Sequence, residues 1–93
     1  MGQTSCTEQF VINNEKGLHA RPAALFVQTA SEFSSSVDVM NEDTKTSADG
    51  KSVMSMLMLA APQGTRLRLT ITGDDAEKAM ETLGSLINRG FDE

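Results

Sequence analysis

Apolar and polar side chains repeat every second position in some stretches and every third or fourth in others, and the change of period divides the chain into seven segments. Residues 7–13 alternate, with Phe10 and Ile12 on one face and Gln9 and Asn13 on the other, as in a half-buried strand. Asn14-Glu15-Lys16-Gly17 breaks the alternation. From 22 to 33 the apolar positions Ala23, Phe26, Val27, Ala30 and Phe33 form one helical stripe, and Pro22 suits the first turn, where its missing N–H is not needed. Ser34-Ser35-Ser36 ends that helix. Residues 37–40 read as a strand, 41–43 as a polar turn, and 44–47 as the hairpin partner.

Gly50-Lys51-Ser52 precedes an apolar run over 53–61 whose weak helical spacing predicts a short helix, stopped by Pro62-Gln63-Gly64. Residues 65–72 alternate most clearly, with Leu67, Leu69 and Ile71 opposite Arg66, Arg68, Thr70 and Thr72. Asp74 followed by Glu77 predicts a capping box for the last helix. Its stripe is Ala76, Ala79, Met80, Leu83, Leu86 and Ile87, and Gly90 is its stop. The order β-α-β-β-α-β-α is of the α+β class. Half-buried strands and amphipathic helices are most economically joined as one antiparallel sheet with all helices on its apolar face.

A length of 93 residues, 39% of them hydrophobic, allows one compact domain, with residues 1–6 expected to be a mobile terminus. With no Trp or Tyr, the core falls to aliphatic residues, Met and four Phe. No apolar run nears the roughly 20 residues of a membrane span. The polar start lacks the pattern of a secretory signal, so the cytoplasm is the expected location.

Cys6, the only cysteine, rules out an internal disulfide and reads as a tolerated thiol in the mobile terminus. It offers no soft-ligand cluster, and Met54, Met56 and Met58 do not converge, so neither metal nor cofactor is expected. A net charge of −5 argues against nucleic acid as a partner unless the fold gathers Arg21, Lys51, Arg66 and Arg68.

His19, the single histidine, lies after a glycine and just ahead of a helix that begins near Pro22. A helix start carries unpaired N–H groups and a partial positive charge that favour an anion. None of the usual capping residues stands between Gly17 and Pro22. The same field should push the His19 pKa below its reference of about 6.5 and leave a nitrogen lone pair free to act as a nucleophile. Arg21 can then meet the bound phosphate with paired hydrogen bonds.

No carboxylate nearby in sequence is positioned to activate a hydrolytic water unless Asp92 or Glu93 folds back. The residues alone are equally consistent with His19 merely capping the helix through Nδ1 and with Arg21 as a solvated charge that Pro22 holds extended. A hydrolase with His19 as general base lacks a visible oriented partner.

The string Gly17-Leu18-His19-Ala20-Arg21-Pro22-Ala23 resembles the active-site motif of HPr, the phosphocarrier of the phosphoenolpyruvate-dependent phosphotransferase system. Gly50-Lys51-Ser52-Val53-Met54-Ser55-Met56-Leu57-Met58-Leu59 resembles the same family's segment around its regulatory serine.

The resemblance covers residues 7–93. It implies an open-faced sandwich with a four-stranded antiparallel sheet and three helices. It also implies a monomeric carrier, distinct from a turnover enzyme, that Enzyme I phosphorylates on His19 at Nδ1. Ala20 and Arg21 would steady the phosphate, IIA-type proteins would accept it, and Ala20, Val53, Met54 and Leu57 would form the docking face. Ser52 reads as an N-cap and, by resemblance, as the target of an HPr kinase/phosphatase, which leaves a regulatory interaction protein as the alternative function. The ending Gly90-Phe91-Asp92-Glu93 and Met58-Leu59 are more similar to the nitrogen-related branch than to the sugar-transport branch. The polar hairpin of residues 41–50 is longer than usual, an expected change of loop and not of site.

Overall fold

The computed structural model describes residues 4–93. Its elements are β1 (Thr4–Val11), α1 (Ala20–Ala30), β2 (Ser36–Asn41), β3 (Thr46–Asp49), α2 (Val53–Leu57), β4 (Arg66–Gly73) and α3 (Ala76–Asn88), followed by a short 3-10 turn, Gly90–Asp92. The four strands form one sheet in the order β1-β4-β2-β3, and every neighbouring pair is antiparallel. The α+β arrangement read from the alternating periods therefore holds.

Leu67, Leu69 and Ile71 of the central strand β4 are fully buried, as are Phe26 of α1, Met56 of α2 and Leu83 and Ile87 of α3. One apolar sheet face thus meets all three helices. Arg66 and Arg68 stand on the opposite face and pair at 2.8 Å with Asp43 and Glu42 of the β2–β3 turn. Lys51 instead donates to the Phe33 carbonyl. Each of these three cations thus has a partner of its own.

Several predicted boundaries move. β1 begins at Thr4, where it pairs with Gly73, so residues 4–6 are strand and not a mobile terminus; residues 1–3 of that stretch lie outside the described residues. Cys6 is accordingly a half-buried strand residue packed against the core. α1 begins at Ala20, which leaves His19 as N-cap and Pro22 inside the first turn, and it stops at Ala30.

β3 starts two residues later than predicted because the turn is built by a buried side chain. Asn41 Oδ1 accepts from the Asp43 and Thr44 backbone N–H groups, and its Nδ2 donates to the Leu59 carbonyl. α2 covers only the first five residues of its predicted run. The N-cap of α3 is Asp75 and not Asp74, and no capping box forms. The Asp75 carboxylate accepts instead from Ser34 N–H, Ser35 N–H and Ser35 Oγ–H.

Candidate active site

Three chain segments meet at His19. The loop after β1 is held to the α2–β4 connection by bonds from Leu18 N–H to the Ala61 carbonyl (2.9 Å) and from Gly64 N–H to the Ile12 carbonyl (2.8 Å). Gly17 is the pivot of that loop. Its φ of +68° lies in the left-handed region, and a Cβ there would stand 2.5 Å from the Ala61 carbonyl oxygen. The loop is tied in turn to the end of α3 by Asn13 Nδ2, which donates to the Asn88 carbonyl at 2.9 Å.

His19 is the N-cap of α1 in an extended conformation, and its side chain makes no capping bond. The reading in which the imidazole merely caps the helix is thereby set aside. The first bond of the helix runs from Ala23 N–H to the His19 carbonyl, and Pro22 has no N–H to offer. The backbone N–H groups of Ala20 and Arg21 therefore precede the hydrogen-bond ladder, at the positive end of the helix dipole and beside the imidazole. Both residues are exposed. Arg21 has no carboxylate within ion-pairing distance among the described residues. It lines a cleft of about 590 Å³ together with Lys16, Asn14, Gln63 and Glu93. An anion at this helix start would meet the two N–H groups, and the Arg21 guanidinium extends from the same turn.

Glu93 does fold back onto this site. Its carboxylate receives the His19 Nε2 proton at 2.8 Å and the Asn14 Nδ2 proton at 2.9 Å. The hydrogen bond from His19, and then that from Asn14, hold the Glu93 carboxyl below the usual carboxylate range. Of the two acids that sequence left open, it is Glu93 that reaches the imidazole, so the field at His19 has a negative side as well as a positive one. Carboxylate oxygens only accept, so the bond requires the proton on Nε2. Nδ1, across the ring, makes no bond within the chain among the described residues.

Asn14 is the residue that sequence reasoning left without a role, and Glu93 was named only as one of two acids able to fold back. The one available signal was the Gly90 stop followed by acids, which does not specify a reversal. The chain returns because Gly90, Phe91 and Asp92 all take positive φ (67°, 57° and 61°), with Phe91 buried as the anchor. For a phenylalanine that conformation costs of order 1–3 kcal/mol.

Ser52, by contrast, caps α2 as expected: its Oγ accepts from the Ser55 N–H at 3.2 Å. Beside it Val53, Met54 and Leu57 expose 38%, 71% and 37% of their surface, an apolar patch next to the serine. Among the described residues no cluster of His, Cys, Asp or Glu has metal-binding geometry, and no helix is long and apolar enough to cross a membrane.

Residues 6–89 match the family model described as the PTS HPr component phosphorylation site. The phosphocarrier protein HPr of Neisseria meningitidis is 46% identical over 82 residues, which are 88% of this chain and 90% of that one. The multiphosphoryl transfer protein of Salmonella typhimurium is 43% identical over 86 residues, 91% of this chain but 23% of that protein, so the chain spans about a quarter of this longer relative. Among solved structures, an HPr of Thermoanaerobacter tengcongensis superposes with a TM-score of 0.88 at 43% identity, covering 95% of this chain and 97% of the other. With the family model covering nearly the whole chain, and with fold and identity in agreement, the chain belongs to the HPr family of phosphocarriers of the phosphotransferase system.

Proposed function

We propose that His19 accepts a phosphoryl group at Nδ1 from Enzyme I, with phosphoenolpyruvate as ultimate donor, and passes it to IIA-type proteins in the cytoplasm. The uncapped start of α1 carries this reading: the imidazole stands at the N-cap beside the open N–H groups of Ala20 and Arg21, and the Arg21 side chain lines a cleft that Glu93, the partner of the imidazole, also lines. The imidazole attacks, and the helix start holds the phosphate oxygens. Glu93 faces Nε2, across the ring from Nδ1, so it is not placed to direct water at a phosphorus on Nδ1. That suits a carrier that must retain its cargo until it docks.

The docking face comprises Ala20, Val53, Met54 and Leu57, whose exposed, adaptable side chains suit successive partners. The ending Gly90-Phe91-Asp92-Glu93 supports service in the nitrogen-related branch. Incubation with phosphoenolpyruvate and Enzyme I should give an acid-labile, base-stable phosphate that is absent in His19→Ala. If the wild type takes up no label, the reading fails.

A second reading rests on the position of Ser52 at the edge of the apolar patch. Phosphate on its hydroxyl would sit tolerably at the start of α2 while bringing two negative charges to the docking face, and so weaken partner binding. Ser52→Asp should raise the KM for Enzyme I several-fold. An unchanged KM would remove this regulatory role.

A further inference from the structure

The three methionines at α2 divide between two environments. Met56 is fully buried in the core, while Met54 and Met58 on either side of it in the chain expose 71% and 72% of their surface. The Met58 N–H donates to the Met54 carbonyl at 3.1 Å, so these two stand one turn apart on the same side of the helix. Val53 and Leu57 are their exposed apolar neighbours. Of the large hydrophobic residues left exposed among the described residues, only Val11 of β1 lies outside this segment. Neither exposed thioether fills the core, and both are open to reagents in solvent. A thioether is also an apolar group that a reversible covalent change makes polar. The one thiol of the chain, Cys6, is half-buried on β1.

We propose that Met54 and Met58 are a reversible oxidation site through which hydrogen peroxide lowers the affinity of this carrier for its partners. The inference rests on the α2 face being the docking face. In the step a sulfur lone pair attacks one peroxide oxygen, the S–O bond forms as the O–O bond breaks, and the second oxygen leaves as water. Sulfur is oxidised by two electrons and the peroxide is reduced by two. In the reverse step two thiols of a reductase system supply two electrons and two protons, become a disulfide, and release the oxygen as water. The sulfoxide oxygen is a strong hydrogen-bond acceptor, and the side chains beside it, Val53 and Leu57, have no donor to offer. It therefore keeps its water, and a partner closing over the patch must strip that water away. The imidazole of His19 is untouched by this chemistry, so docking weakens while the transfer step proceeds as before.

The test treats the full chain with dilute hydrogen peroxide, removes the reagent, and follows phosphorylation by Enzyme I and phosphoenolpyruvate alongside peptide mass mapping of the same sample. Met54 and Met58 should each gain an oxygen before Met56 or Met80 does. The KM for the treated carrier should rise several-fold with kcat unchanged, and methionine sulfoxide reductases with dithiothreitol should restore it, where dithiothreitol alone does not. Met54→Leu/Met58→Leu, compared with its own untreated form, should show no rise. Oxidation that spares Met54 and Met58, or an equal rise in the double leucine variant, would overturn the proposal, the latter by assigning the effect to another group such as Cys6. Val53→Asp keeps the underlying reading separable. If it raises KM while oxidation does not, the oxidation site alone is overturned; if it leaves KM unchanged, the docking face falls and the proposal with it. Failure of the untreated wild type to take up phosphate would overturn the carrier function itself.

Discussion

The starts of α1 and α2 pose the same problem of unpaired N–H groups and solve it in opposite ways. At α2 a serine occupies the N-cap and its hydroxyl accepts from the third residue on, so the helix end is satisfied from within. At α1 the N-cap is His19, whose ring turns away to Glu93 and leaves the N–H groups of Ala20 and Arg21 open. The difference separates structure from chemistry: a closed cap stabilises its helix, while an open one forgoes that stability and keeps a place for an anion.

The sharpest way to break the contrast is to give α1 the cap of α2. His19→Ser should abolish phosphoryl acceptance altogether. It should also raise stability by about 1 kcal/mol, because the new hydroxyl closes the helix and the half-exposed pair with Glu93 contributes little. Labelling with phosphoenolpyruvate and urea denaturation read the two effects separately. A loss of stability would show that the open end of α1 is not a sacrifice.

Gly17→Ala attacks the placement of the open end and leaves its chemistry untouched. The added Cβ meets the Ala61 carbonyl oxygen and Pro62 Cα, both backbone, in a residue already at positive φ. The expected destabilisation is about 2–4 kcal/mol by urea denaturation, with phosphorylation slowed in the fraction that stays folded. At the closed end, Ser52→Ala should lower stability by about 1 kcal/mol, since the Ser55 N–H loses its acceptor. Phosphoryl acceptance by His19 should change far less than in His19→Ser. A comparable loss of acceptance in Ser52→Ala would erase the distinction between the two helix starts.

Sequence reasoning reached the parts of this design that repeat. β4 is legible because its period of two is enforced by burial of Leu67, Leu69 and Ile71 under the helices. α3 is legible because a long stripe faces the sheet. The start of β1 was hidden, since Ser5 and Thr7 pair with Thr72 and Thr70 through hydroxyls on the sheet's polar face and carry no apolar signal. The start of β3 was hidden because buried Asn41 builds the turn, where a polar residue reads as a solvated loop. His19, Arg21 and Ser52 could be found from local spacing. Glu93 could be named only as one of two acids able to fold back, because its approach depends on a reversal made by three left-handed residues and on an asparagine at the other end of the chain.

α3 supplies a third solution, and with it the smallest predicted effect. Its N-cap, Asp75, leaves its own helix uncapped by its side chain and clasps the loop before β2. The Ser35 hydroxyl first, and then the Ser34 N–H, hold the Asp75 carboxyl down at about 2, against an ordinary value of 3.8. A carboxyl depressed in the folded state binds its proton more readily when unfolded. Its stabilisation is therefore complete above about pH 4 and drains away as the pH falls toward 2.

Urea midpoints measured through that window should fall for the wild type and fall less steeply in Asp75→Asn, which has no proton to gain. The two proteins should also differ more at neutral pH than at pH 2, since protonated aspartic acid and asparagine are similar in shape and both accept through one carbonyl oxygen. Parallel slopes would mean that acid sensitivity resides elsewhere, with Glu93 the next carboxylate to test because its pKa is also lowered. Asp43 and Asp92, held low by Arg66 and Arg89, are the alternatives, and only a flattened slope in Glu93→Gln would make the open start of α1, and not the clasp of α3, the place where this molecule couples protons to its fold.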